Sequence, residues 1–369
     1  MWDGCASVVS IGPVSTLPPR PPPDQERTGP ATAVAATPRQ SRLSAWVEVL
    51  RTTNPPTGRP LDAVSRWLVL TRAAVLPMTL VAGAIATLLA VHRAGFRPGL
   101  LVLAYVGIVL AHVSNNLMND LFDVEVGNDT ETYPRALYAP HPVLSGMISR
   151  RGLARAALLV NAVDLAILVV LALFRGWPVV GFALGGFALS VAYTAPPLRL
   201  KKRGLGEPDV FVVWGPLMVG GTYFAAVGHL PWEIWVASVP YGLLCTAVLM
   251  GKHIDKAPYD EPLGVRTLPV IVGEGRARAL TQGMMAAFYV VVVLCVIVGA
   301  LSWPALVSVL AVQKLVPVWR AFSRPKPNAP PEGFPVWPLW FAAAAFIHTR
   351  RAGSLLVLGL VIAAAFGIR

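Results

Sequence analysis

The sequence predicts an all-α membrane protein, a bundle of about nine transmembrane helices with loops capping one end. Three observations carry that reading. Hydrophobic residues make up 55% of the 369 and charged residues only 14%, with a mean hydropathy of +0.61, too apolar for a soluble domain of this length. Apolar segments of the roughly 17–25 residues needed to cross about 30 Å of hydrocarbon fall near 67–91, 99–121, 153–174, 177–193, 209–228, 232–251, 278–300, 301–320 and 353–368. Basic residues, finally, alternate between the connections.

Arg59 and Arg66 precede the first segment. Arg135, Arg150 and Arg151 follow the second; Arg199, Lys201, Lys202 and Arg203 the fourth; Lys252, Lys256, Arg266 and Arg276 the sixth; Arg320, Arg324 and Lys326 the eighth. The connections after segments one, three, five and seven hold only Arg93, Arg97 and Arg175. The positive-inside rule therefore places the amino terminus and the basic loops in the cytoplasm of a multi-pass cell-membrane protein. The net charge of +12 does not signal nucleic-acid binding, because these bases lie in short clusters between apolar runs. Cys5, Cys245 and Cys295 are far apart, which implies neither a disulfide framework nor a zinc site.

Residues 1–60, rich in Pro, Arg, Thr and Ala without apolar periodicity, are expected to form a disordered cytoplasmic tail, leaving 61–369 as the transmembrane domain. No basic region followed by an apolar one opens the chain, so no cleaved signal peptide is expected. VWPLWFAAAAFIHT (336–349) is short for a span and is expected at the interface, its tryptophans at headgroup level.

The chemistry concentrates at the end of the second segment, NNLMNDLFDVEVGND (115–129). On a helix, Asn116, Asn119, Asp120 and Asp123 fall within an arc of roughly 100°, with Glu125 opposite. Gly127 is expected to end the helix and let Asp129 fold back toward that stripe. One acid there would read as a solvated helix end paired with Arg135 or Arg150. Several carboxylate and amide oxygens converging on one face are instead the hard ligands that Mg2+ takes while keeping waters and sharing substrate phosphates.

A second acidic site follows the sixth segment in GKHIDKAPYDEPLGVRTLPVIVGEG. Asp255 and Asp260 would stand about 140° apart on an unbroken helix, but Pro258 and Pro262 argue for a turn that returns Asp260 toward Asp255. Lys252 and Lys256 share a helical face beside them. Acids to hold metal and bases to neutralise phosphate suit a magnesium-bound polyanion. Asp164, inside the third segment, is an intramembrane acid of the kind that is functional by default, but Asn161 one turn earlier could be its only partner and its role structural, so it is not counted with the site.

NDLFDVEVGND, the downstream RALYAPHPVLSGMIS, LGVRTLPVIVGEG and AYTAPPLRLKKRGLGE together resemble the UbiA superfamily of intramembrane prenyltransferases. The resemblance spans about residues 65–368 and is nearest to 1,4-dihydroxy-2-naphthoate polyprenyltransferase-like members. One departure stands out: in ungapped register the second Asp-rich motif becomes Lys256 and Asp260, with Asp255 one residue out of step.

The resemblance implies Mg2+-dependent ionisation of a prenyl diphosphate and attack of an aromatic or quinone-precursor acceptor on the allyl cation. Asn116, Asp120 and Asp123 would hold one Mg2+ with Asp129 as auxiliary, and Asp255 and Asp260 a second. Arg135, Lys201 and Lys252 would bind diphosphate oxygens, and Tyr193, beside the basic loop, would face the cation unless it is an interfacial belt residue. A porphyrin, a phenolic acid, or a lipid or sugar phosphate are alternative acceptors on the same fold. A cation-coupled transporter is the alternative of another class, disfavoured because the acids sit at helix ends and not at the midplane.

Overall fold

Hydrocarbon offers backbone N–H and C=O groups no partners, so a segment that crosses it must bond them internally; the apolar segments of this chain are accordingly helical. The computed structural model describes residues 41–52, 54–56, 59–125, 140–332, 334 and 336–368, with 123–125 described in backbone only. Two short helices, α1 (Arg42–Thr52) and α2 (Ala63–Leu70), come first. Span one joins a 3₁₀ turn, Ala73–Val75, to α3 (Pro77–Ala90); spans two to four are α4 (Pro98–Glu125), α5 (Arg150–Arg175) and α6 (Trp177–Thr194). Span five has three parts: α7 (Gly206–Val212), a π-helical stretch Val213–Gly220, and α8 (Gly221–Val227). Span six is α9 (Trp232–Asp260) and, after α10 (Leu268–Val272), span seven is α11 (Glu274–Ile297). Span eight joins a 3₁₀ stretch, Trp303–Ala311, to α12 (Val312–Phe322), and span nine is α13 (Trp340–Ala365).

The nine expected spans are thus all present among the described residues, and the chain is a multi-pass membrane protein. Local chemistry sets their ends. The Ser149 hydroxyl caps α5 by accepting from Gly152 N–H at 3.0 Å, as such caps do for orphan donors of a first turn. Gly176 (φ +71°) reverses the chain between α5 and α6, a backbone region where a Cβ clashes.

Two expectations are corrected here. Within the stretch expected to be a disordered tail, residues 42–52 are helical: Ala45 and Val49, one turn apart, are buried, and Trp46 Nε1 donates to Asp62, which itself caps α2 through Ser65 N–H at 2.7 Å. Residues 1–40 lie outside the described residues. The expected interfacial segment 336–349 is divided, because α13 begins at Trp340 and continues unbroken into the ninth span. Its first turn is held by a side chain from α9, which no pattern within 336–349 could announce.

Spans six and five form the centre, with 67% and 61% of the residues in their most apolar stretches buried, whereas in spans three and four the share is only 11% and their sides turn to the surroundings. Tyr241 of α9 donates to Met78 O at 2.8 Å, and Thr349 of α13 donates to Leu244 O at 3.1 Å, tying spans one, six and nine. Arg175 clamps the opposite end, donating to Ala225 O (2.8 Å), Ala226 O (2.6 Å) and Gly95 O (3.1 Å). Spans six and nine approach closely at Gly251, where a Cβ would stand 2.7 Å from Phe341 O and 2.9 Å from Ala342 N. Backbone cannot yield as a flexible side chain can, so Gly251→Ala is expected to lower stability by about 1–3 kcal/mol. A drop in the detergent-solubilised melting midpoint checks this, and an unchanged midpoint refutes it.

Candidate active site

The end of α4 is polar on one face, and its neighbours pin each group. Ser190 Oγ donates to Asn115 Oδ1 at 2.9 Å, and Thr194 Oγ1 donates to Asn119 Oδ1, so α6 fixes two of the amides. Asn116 donates its amide to Thr71 O at 3.0 Å, leaving its oxygen as the atom it can offer a cation. Asp120 is fully buried (0% exposed). Its Oδ1 accepts from Arg72, and His141 Nε2 stands 4.0 Å away. Arg72 reaches it from a left-handed backbone position, φ +51°, uncommon for a residue other than glycine and a frequent mark of functional constraint.

The second acidic element differs from expectation. α9 runs through Pro258 without a turn and ends at Asp260; a proline in the last turn forfeits only one bond, to the carbonyl four residues back. Asp255 and Asp260 therefore stay about 140° apart. Asp255 accepts from Phe341 N–H at 3.1 Å and Ala342 N–H at 2.9 Å, serving as the cap of α13. Lys326 approaches it to 3.6 Å, donates to Pro338 O, and lies 4.6 Å over the Trp337 ring. Burial holds the Lys326 ammonium below the usual lysine value, with Asp255 opposing that shift. The α-helix is continuous through this stretch, so Lys256 and Asp260 stand one turn apart in it.

Asp260 is buried. The basic loop expected to serve the same site packs against this element: Arg266 N–H donates to Lys202 O at 3.2 Å. Lys201 Nζ lies 5.9 Å over the Tyr193 ring.

A cavity of about 1340 Å³ opens between the spans. At one end its wall includes Arg51, Arg72, Asn116, Asn119, Tyr193 and Lys252; at the other, Leu168, Leu171, Val179, Phe182, Leu217 and Ala225. Asp120 stands behind Arg72, outside the wall itself. Span five lines the cavity at 209/210, 213/214, 217/218, 221/222 and 225, a spacing of four. On an α-helix each such step would drift by about 40°, turning the stripe away by the fourth. The π-helical stretch, with more residues per turn, cancels the drift; such stretches are rare and recur at functional sites. Asp209 Oδ1, Trp214 Nε1 and Thr222 Oγ1 on this stripe are buried without a hydrogen-bond partner among the described residues. A buried group left so typically costs about 1–3 kcal/mol.

Of the residues singled out from sequence, Asn116, Asp120, Tyr193 and Lys252 come together at the polar end. Lys201 contacts Tyr193 from the adjoining loop, and Asp255 is turned to α13. Asp123 lies in the last turn of α4, its side chain undescribed; Asp129 and Arg135 lie outside the described residues. Asp164 stands beside Gly107 of α4, where a Cβ would be 3.2 Å from Oδ1, and its expected partner Asn161 donates instead to Ser114 Oγ at 2.7 Å and Ala157 O at 2.8 Å. Sequence reasoning missed Arg72, His141 and Asp209. Arg72 carried one signal, a base at the mouth of an apolar segment, and Asp209 another, an acid inside one.

Among the described residues no three acids, histidines or cysteines converge as a metal cage. A buried carboxylate flanked by two amides is nevertheless a fitting donor set for Mg2+, which takes one or two carboxylates and keeps its waters.

Fold and cavity define a polytopic helical membrane protein with an internal cavity that is charged at one end and apolar along the rest of its length. Residues 75–343 match the model of the UbiA prenyltransferase family, and the chain belongs to that family: it is a prenyltransferase. It is 29% identical to 1,4-dihydroxy-2-naphthoate octaprenyltransferase of Escherichia coli K12, over 60% of this chain and 73% of that one. It is 27% identical to digeranylgeranylglyceryl phosphate synthase of Natronomonas pharaonis, over 69% and 86%. A UbiA homolog from Archaeoglobus fulgidus, solved bound to GPP and Mg2+, shares the fold with a TM-score of 0.54 at 15% identity, over 79% of this chain and 99% of that one.

Proposed function

We propose that this protein transfers a prenyl group from a prenyl diphosphate to 1,4-dihydroxy-2-naphthoate, a step of menaquinone biosynthesis, with Mg2+ required and diphosphate released. The observation that carries this is the graded cavity, with Arg72, Asn116 and Lys252 at one end and aliphatic walls beyond, which suits a donor with a polyanionic head and an isoprenoid tail. The E. coli naphthoate enzyme among its relatives supports the acceptor.

Asn116, Asp120 and Asp123, with Asp129 as auxiliary, are the residues proposed to hold one Mg2+, and Asp260 a second. Bound there, Mg2+ supplies Lewis-acid neutralisation of the diphosphate, without which that group leaves poorly. Lys252 from the cavity wall, Lys201 and Arg135 are proposed to take diphosphate oxygens directly. Tyr193 offers a ring face to the allyl cation; the Lys201 ammonium already makes the same kind of contact with it. The apolar walls keep water from the cation. Asp255 is reassigned to positioning α13.

A second reading has one observation in its favour: the archaeal relative named for a glycerol-phosphate lipid product is matched over most of its length. Membranes carrying the protein, given labelled prenyl diphosphates and a panel of acceptors with Mg2+ or with EDTA, separate the two. Prenylated naphthoate formed only with Mg2+ is the expected outcome. Transfer to a glycerol-phosphate lipid would replace the acceptor, and full activity in EDTA would remove the metal from the mechanism.

A further inference from the structure

We infer that Asp209 and Trp214 of span five form the hydrogen-bonding wall that takes the hydroxyl-bearing ring of the acceptor. This deepens the reading above and rests on its acceptor being a hydroxylated aromatic ring. Asp209 is only 7% exposed and lines the cavity, yet its Oδ1 has no hydrogen-bond partner among the described residues; the Nε1 of Trp214, on the same cavity wall, is buried and also lacks one. Native proteins bond nearly all such atoms, and an orphaned one calls for an explanation such as a missing ligand. The pair is complementary to a ring hydroxyl and its neighbours: a carboxylate that accepts, and an indole N–H that donates, five residues apart on the stripe that the π-helical stretch keeps facing the cavity.

The indole is held in place. The Trp214 ring meets His112 edge-on at 5.1 Å, and His112 Nδ1 is bonded to Thr79 Oγ1 at 2.7 Å. Gly206, one turn before Asp209, lies so near Tyr193 that a Cβ there would be 3.3 Å from the ring. The acceptor wall thus begins beside the residue proposed to face the cation, and that is where the attacking carbon must stand. An apolar wall would serve the isoprenoid tail equally well; the orphaned polar atoms have no use toward that part of the donor.

The test is steady-state kinetics of the full-length protein with the naphthoate and the prenyl diphosphate varied separately, for wild type, Asp209→Leu and Trp214→Phe. The acceptor KM is expected to rise tenfold or more in both variants while the diphosphate KM stays within twofold. The melting midpoint of Asp209→Leu is expected at or above wild type, since the change removes an orphaned carboxylate. An unchanged acceptor KM, or a fall in melting midpoint with both KM values rising together, overturns the inference and leaves the proposed reaction standing. If wild type prenylates a different hydroxylated ring, the naphthoate assignment falls and the same KM split on that ring decides the wall. Exclusive use of a glycerol-phosphate lipid overturns both.

Discussion

Asp120→Asn is expected to reduce Mg2+-dependent prenyl transfer and diphosphate release by about 10²–10³-fold, the usual cost of removing one preorganised electrostatic partner at a developing charge. Asp120 is fully buried beneath Asn116 and Asn119 and is paired with Arg72, so its charge acts in a low-dielectric setting where it counts for more than at a surface. The asparagine keeps the volume and an oxygen toward Arg72 while losing the charge a cation needs. Turnover at saturating Mg2+ and the melting midpoint together check this. Loss of turnover with the midpoint within a few degrees fits the proposed role. Retention of activity within tenfold would remove Asp120 from the metal site, and a collapsed midpoint would make it a structural ion pair with Arg72.

Asp255→Ala is expected to act in the opposite way, lowering stability by about 1–3 kcal/mol while leaving the chemistry of folded molecules nearly intact. The loss follows from stranding the buried N–H groups of Phe341 and Ala342, unsatisfied groups of the kind that costs most, and from removing the carboxylate beside the half-buried Lys326, which keeps its bond to Pro338 O. Asp255→Asn, which keeps one accepting oxygen, should recover much of the midpoint. A metal ligand would give another pattern: a midpoint near wild type, turnover lower by two orders of magnitude, and partial rescue by excess Mg2+. That pattern would return Asp255 to the second metal site.

The nine spans and the polar stripe on α4 were legible because both are properties of a single segment. Twenty apolar residues make a span whatever surrounds them, and Asn116, Asn119 and Asp120 share a face because a helix repeats every 3.6 residues. The basic loops were legible for the same local reason. Pro258 misled because a proline's effect depends on where in the helix it falls, and near the end of α9 it breaks nothing. Residues 340–349 misled because their apolar run is short by itself and becomes part of a span only when capped from α9.

By itself, then, the sequence determined the membrane-spanning helices, their number, and the acid-and-amide end of α4. The partners of its charged groups were decided only by the tertiary structure. Arg72 meets Asp120 across 48 residues of chain, and Asp255 meets Phe341 across 86. Span five turns Asp209 and Trp214 into one cavity through a π-helical stretch that no local periodicity announces. Burial inside a bundle makes every unpaired charge costly, so such groups take whichever partner the packing of distant helices provides.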